Sequence, residues 1–144
     1  MDVKSYIKAA RLRTLPLSIS GIILGSYLGN EFVNSLLEHT IRTSIWESSI
    51  FWLAIFTTIG FQVLSNYAND YGDGIKGSDK NRTGEARMVS SGAITPKQMK
   101  TAMISTTTIT SLIALLLIYV AFGSENFGYS ILFFGLGIAS IAAA

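Results

Sequence analysis

Apolar positions along this chain fall in long unbroken blocks, with neither the strict alternation of a half-buried strand nor the narrow stripe of a surface helix. The runs 14–30, 48–69, 101–124 and 126–144 contain no charged residue. A bilayer-crossing helix needs about 20 predominantly apolar residues, which all four runs approach or exceed. The pattern predicts an all-α chain with membrane-spanning helices near 14–30, 48–70, 101–122 and 128–144, and a polar loop at 71–100. A single globule of 144 residues could bury one such helix, not four. Ahead of the first run, Val3, Tyr6, Ile7 and Ala10 share one helical face and Lys4, Lys8 and Arg11 another. That arrangement suits a short helix lying in the headgroup plane; a frayed polar tail is the alternative.

Composition strengthens this picture. Charged residues make up 14% of the chain, against about a quarter in soluble domains. There is no cysteine, which excludes a disulfide framework, a thiolate zinc site and a thiol nucleophile. Ten of the eleven basic residues lie before the first run or between the second and third. The other connections carry Glu31, Glu38, Glu47 and Glu125 against Arg42 alone. The positive-inside rule therefore puts the N-terminus and the 71–100 loop in the cytoplasm, in a multi-pass protein of the inner (cytoplasmic) membrane. The first run is long for a signal peptide and lacks a clear cleavage site, so it is expected to be a retained anchor.

Several features read as structural. Gly21, Gly25 and Gly29 recur every fourth residue, making a groove against which another helix can pack. Hydroxyls of Ser105, Thr106, Thr107, Thr108, Thr110 and Ser111 can bond to their own helix backbone. His39, in a polar connection, is assigned no chemistry.

Chemistry concentrates in residues 65–92, SNYANDYGDGIKGSDKNRTGEARMVSSG. Asn66, Asp70 and Asp73 are spaced i, i+4, i+7, and Asn69 with Asp73 adds an i, i+4 pair, so on a helix they converge toward one side at the end of the second run. Adjacent carboxylates at a membrane boundary repel and are costly to desolvate, and a cation compensates. Oxygen ligands without His or Cys favour a hard ion, and Mg²⁺ commonly joins one or two carboxylates to substrate phosphates. Lys76, Lys80, Arg82 and Arg87 follow and suit phosphate oxygens, while Gly72, Gly74, Gly77 and Gly84 let backbone approach a ligand. Neither a Walker loop nor a GxGxxG fingerprint is present, and no nucleic-acid partner is implied. The alternative is a solvated loop whose basic residues obey topology; carboxamides at the end of a hydrophobic helix count against it.

NYANDYGDGIKGSD, with AARLRTLPLSISGIILG before it and SGAITPKQMK after it, resembles the intramembrane aromatic prenyltransferases of the UbiA superfamily, in particular the 1,4-dihydroxy-2-naphthoate branch of menaquinone synthesis. The resemblance implies a helical bundle of about nine helices in two pseudo-repeated halves. This chain, 1–144, would be the first four helices of one such domain and inactive alone. Asn69, Asp70 and Asp73 match the first three positions of the NDxxDxxxD motif, with Gly77 at the fourth and Asp79 as the substitute. Asn66 and Asp70 satisfy the NxxxD form. By resemblance, Asp70, Asp73 and Asp79 hold Mg²⁺, with Asp70 and Asp73 catalytic, and Asn66, Asn69, Lys76, Arg82 and Arg87 serve the diphosphate of a polyprenyl donor. The implied reaction is transfer of the prenyl group to 1,4-dihydroxy-2-naphthoate with loss of CO₂, inside the bilayer. Tyr67 and Tyr71 could face the allylic cation or anchor the interface. A different aromatic acceptor, a small cation-binding transporter or assembly subunit, and a purely structural hairpin protein are the competing readings.

Overall fold

A computed structural model describes residues 2–36, 44–77, 87–123 and 126–143. They form five α-helices, α1 (Val3–Ala10), α2 (Leu15–Leu36), α3 (Ser49–Lys76), α4 (Pro96–Phe122) and α5 (Phe127–Ala143), with 3₁₀ turns at Leu12–Thr14 and Ile45–Glu47, and no strand among the described residues. The all-α expectation holds.

Each helix boundary has a local chemical cause. Asp2 caps α1, accepting from the Lys4 N–H at 3.1 Å and the Ser5 hydroxyl at 2.7 Å. Those bonds hold the Asp2 carboxyl below its ordinary pKa, the Ser5 bond contributing most. At the other end Arg11 takes the left-handed conformation, φ 49°, and the chain turns through Leu12–Thr14 into α2. Pro16 follows in the first turn of α2, where its missing N–H costs no helical bond. Ser48 caps α3 and Gly77 ends it at φ 67°, its N–H bonding the Asp73 carbonyl at 3.0 Å. Thr95 and Gln98 form a reciprocal capping box at the start of α4, with Pro96 in its first turn.

These caps move the expected boundaries. The polar loop placed at 71–100 is shorter, because α3 runs on to its glycine stop at Gly77 and α4 begins at its capping box. The first run extends past Asn30 and takes in Glu31 before ending at Leu36. Of the four expected crossings, two described helices, α3 and α4, are long and apolar enough to span a membrane. In α2 the polar Asn30 and Glu31 dilute the apolar stretch, and the apolar helix at 127–139 is shorter.

Packing is dense at the two ends and sparse between them. One cluster joins Ala9, Ala10, Tyr67, Met88, Val89, Ile94 and Met99; the other joins Ile45, Phe51 and Ile55. Between them α3 and α4 close on each other at Gly60, where an added Cβ would run into the Thr110 side chain. The Ser18 hydroxyl of α2 donates to Gln62 Oε1 of α3 at 2.8 Å. Outward faces stay apolar: Leu24, Leu28 and Phe32 on α2, Ile104, Leu112 and Leu116 on α4, and Leu132 and Phe133 on α5 are all exposed. Such an area of exposed hydrocarbon belongs against lipid or other helices, and the chain is a helical membrane protein.

Two packing expectations change. Nothing described lies within 4 Å of a Cβ built at Gly21, Gly25 or Gly29, so no described helix packs closely on the glycine face of α2. In α1, Val3 and Ile7 are exposed as a surface helix requires, but Ala10, at the end of the helix, is buried along with Ser5 and Ala9. Small side chains there let α1 sit directly on α3.

Candidate functional site

The polar end of α3 meets two neighbours. One is the C-terminus of α1. Asn66, 6% exposed, donates from Nδ2 to the Ala10 carbonyl at 2.8 Å and to Thr14 Oγ1 at 3.3 Å, satisfying a helix-end carbonyl that has no partner within its own helix. Tyr67 adds a bond from its hydroxyl to the Tyr6 carbonyl at 3.3 Å, with the two rings edge to face. Asn66 is thus committed to holding α1. Asn66→Ala is expected to loosen α1 by about 1–3 kcal/mol, the cost of a buried acceptor left without its donor. Trypsin would then cut at Lys4, Lys8 and Arg11 faster than in the unsubstituted protein; an unchanged cleavage rate would contradict this role.

The other neighbour is the turn between residue 87 and α4. Residues 88–91 make a short helical turn: Ser91 N–H bonds the Arg87 carbonyl at 3.1 Å, and Gly92, at φ 75°, bonds the Val89 carbonyl at 3.0 Å. Ile94 N–H bonds the Met88 carbonyl at 2.9 Å, folding the chain back so that Ile94, 1% exposed, plugs the cluster beside the fully buried Met99. Apolar burial therefore holds this turn against α3.

Asp70 fastens it. The Met88 N–H donates to Oδ2 and the Val89 N–H to Oδ1, both at 2.9 Å, and the side chain is 1% exposed. Successive N–H groups at the start of a helical turn form an anion-binding concavity, here filled by a carboxylate from another element. Gly74, one turn further along α3, permits the approach: a Cβ there would lie 2.5 Å from Val89 Cγ1 and 3.3 Å from Ser90 N. Arg87, immediately before the fastened amides, pairs through Nη2 with Asp73 Oδ2 at 2.5 Å; their side chains are 6% and 31% exposed.

The residues expected to converge thus divide by partner. Asn66 faces α1, Asp70 the turn backbone, and Asp73 the Arg87 guanidinium, while Asn69 and Lys76 are exposed. Asp79 and Arg82, with Lys80, lie outside the described residues. Gly77, where the motif would have its last acid, is the left-handed stop of α3, a conformation costly for a residue with a side chain. The fit to a magnesium ion is correspondingly poor: Asp70 has both oxygens engaged and is sealed from solvent, and the described residues contain no group of three acidic or histidine side chains able to hold a metal. Among the described residues of the set, the partly open carboxylate is Asp73, beside a cation. Sequence reasoning missed the backbone N–H groups of Met88 and Val89 and the role of Gly74; both depend on contacts across the fold that spacing within α3 does not encode.

Comparison with known proteins agrees with the motif. A Haemophilus influenzae protein named 1,4-dihydroxy-2-naphthoate octaprenyltransferase is 38% identical over 143 residues, which is 99% of this chain and 43% of that protein. Proteins of the same name from Escherichia coli and Mycobacterium tuberculosis are 36% and 31% identical over 82% and 78% of this chain, covering 35% of each. These are homologues of the chain, and the resemblance read from NYANDYGDGIKGSD holds. The chain spans less than half the length of the curated relatives it matches. No family model and no solved structure matches it.

Proposed function

We propose that this chain contributes the diphosphate-binding end of a membrane prenyltransferase that moves a polyprenyl group from polyprenyl diphosphate to 1,4-dihydroxy-2-naphthoate, with loss of CO₂, in menaquinone synthesis. The observation that carries the reading is 38% identity, over 99% of the chain, to a relative named 1,4-dihydroxy-2-naphthoate octaprenyltransferase. The geometry supports it: a guanidinium, Arg87, is held at the polar end of helices whose other faces are apolar. A polyprenyl donor has the same division, a charged head on a hydrocarbon tail. An apolar cleft lined by Phe61, Leu115, Leu117, Phe133 and Phe134 runs between α3, α4 and α5.

In the proposed reaction the allylic C–O bond breaks and the diphosphate leaves with the electron pair. The ring carbon bearing the carboxylate attacks the allylic carbon, and the C–CO₂⁻ bond then supplies the electrons that restore the aromatic ring as CO₂ departs. The contribution of this chain is electrostatic. Arg87, paired through Nη2 with Asp73, sets a guanidinium behind the partly open end of α3 where phosphate oxygens would lie, and exposed Lys76 adds a point charge. Asn69 offers a carboxamide on the same turn as Asp73. Mg²⁺ belongs to the reading through Asp73 and Asp79, with Arg82 assisting the diphosphate; Asp70 is poorly suited to it. The N-terminus and the 71–100 segment are assigned to the cytoplasmic side of the inner membrane, from the placement of basic residues.

The test is an incubation of membranes containing the protein that carries this chain with polyprenyl diphosphate and 1,4-dihydroxy-2-naphthoate labelled in its carboxyl carbon. Labelled CO₂ and a prenylated naphthol product are expected in equal amounts, dependent on both substrates and on added Mg²⁺. Absence of product, where a known enzyme of this activity works, would remove the reading.

A further inference from the structure

Asp70 and Asp73 stand in one acidic motif, yet their surroundings ask different things of them. Magnesium demands a near-octahedral shell at about 2.0–2.1 Å and keeps several waters. Asp70, 1% exposed, is closed off from solvent and holds one backbone N–H on each oxygen. Its two bonds instead fix Met88 and Val89, and the next residue back is Arg87, whose guanidinium reaches Asp73. Fixing the backbone at 88 and 89 fixes the root of that side chain. Gly74 lets the same turn lie flush on α3.

We propose that Asp70 is a positioning residue and not a metal ligand: it locks the Met88–Val89 backbone so that Arg87 is delivered to Asp73, and it acts on the diphosphate only through Arg87. Asp73 is then the acid of the pair that meets a cation. The proposal deepens the prenyltransferase reading and rests on it for its kinetic test.

The experiment uses the protein carrying this chain in detergent and in membranes, with Asp70→Asn, Asp73→Asn, Arg87→Gln and the Asp70→Asn/Arg87→Gln double variant. Mn²⁺ is titrated in place of Mg²⁺, with inorganic diphosphate present, by electron paramagnetic resonance. Amide exchange over residues 87–91 and the transfer rate are followed in parallel. Asp70→Asn should speed exchange at residues 88 and 89 by about tenfold or more, since it removes the charged acceptor. It should leave Mn²⁺ affinity within about twofold, whereas Asp73→Asn should weaken it about tenfold or more. The rate loss from Asp70→Asn should vanish, to within about twofold, in the Arg87→Gln background. Mn²⁺ affinity falling as far in Asp70→Asn as in Asp73→Asn, or rate losses that multiply in the double variant, would overturn the proposal. Should Asp70→Asn fail to fold, Gly74→Ala displaces the same turn without touching the carboxylate. It should reproduce the fast exchange, the unchanged Mn²⁺ affinity and the rate loss; fast exchange with an unchanged rate would equally overturn the proposal. If the unsubstituted protein transfers no prenyl group, the enzymatic reading fails separately, while exchange and Mn²⁺ titration still decide the role of Asp70.

Discussion

Asp70→Ala is expected to destabilise the polar end of the bundle by about 2–5 kcal/mol, a large fraction of the stability of most domains. The substitution strands two buried backbone donors at once, Met88 N–H and Val89 N–H, each now bonded to a carboxylate oxygen at 2.9 Å. A buried amide with no acceptor costs about 1–3 kcal/mol, and the space left by the carboxylate adds to it. The loss propagates because the same turn carries Met88, Val89 and Ile94 into the cluster with Tyr67 and Met99. Thermal unfolding in detergent, followed by tryptophan fluorescence, should show a lower midpoint, and proteolysis should begin between α3 and α4. An unchanged midpoint would mean that water reaches these amides and that the carboxylate is not their essential partner.

Gly74→Val should be the second most damaging change, through shape alone. A Cβ at this position lies 2.5 Å from Val89 Cγ1 and 2.7 Å from Val89 Cβ, and a branched side chain leaves the turn no way to yield except by lifting off α3. Overpacking of this kind costs about 1–3 kcal/mol. Lifting the turn also carries Arg87 away from Asp73, so prenyl transfer should fall with stability. Gly72→Ala is the matched control. Nothing lies within 4 Å of its Cβ, and in a helix interior alanine gains up to about 1 kcal/mol over glycine. Its midpoint should stay level or rise; equal losses in the two variants would show that helix propensity, not the Val89 contact, sets the outcome.

How much of this was legible in the sequence depends on the range of each interaction. Uncharged runs marked the long helices because hydrocarbon length and composition are local properties. The Thr95-Pro96-Lys97-Gln98 stretch carries its own capping box, and Gly77 its own stop. The position of the chemistry, at the end of α3, was visible as carboxamides and acids closing an apolar run. The division of labour among them was not. Asn66 looks from its spacing like a partner of Asp70, but its acceptor is the Ala10 carbonyl on α1. Side-chain identity likewise gives no sign that Asp70 accepts from backbone N–H groups 18 and 19 residues away. Glycine was the least readable: Gly72 and Gly74 appear equivalent in sequence, and only Gly74 bears a close approach. The spacing of Gly21, Gly25 and Gly29 pointed to a packed face that the described residues leave open.

The most direct measurement is the initial rate of labelled diphosphate release from polyprenyl diphosphate, with naphthoate acceptor present, by membranes containing the protein that carries this chain and by its Asp73→Asn variant. Asp73 orients Arg87 and is the partly open acid at the end of α3, so its loss should lower the rate about 100-fold or more while the protein still inserts into the membrane. A variant that inserts normally and releases diphosphate at the unsubstituted rate would contradict the assignment of this end of the bundle to the leaving group.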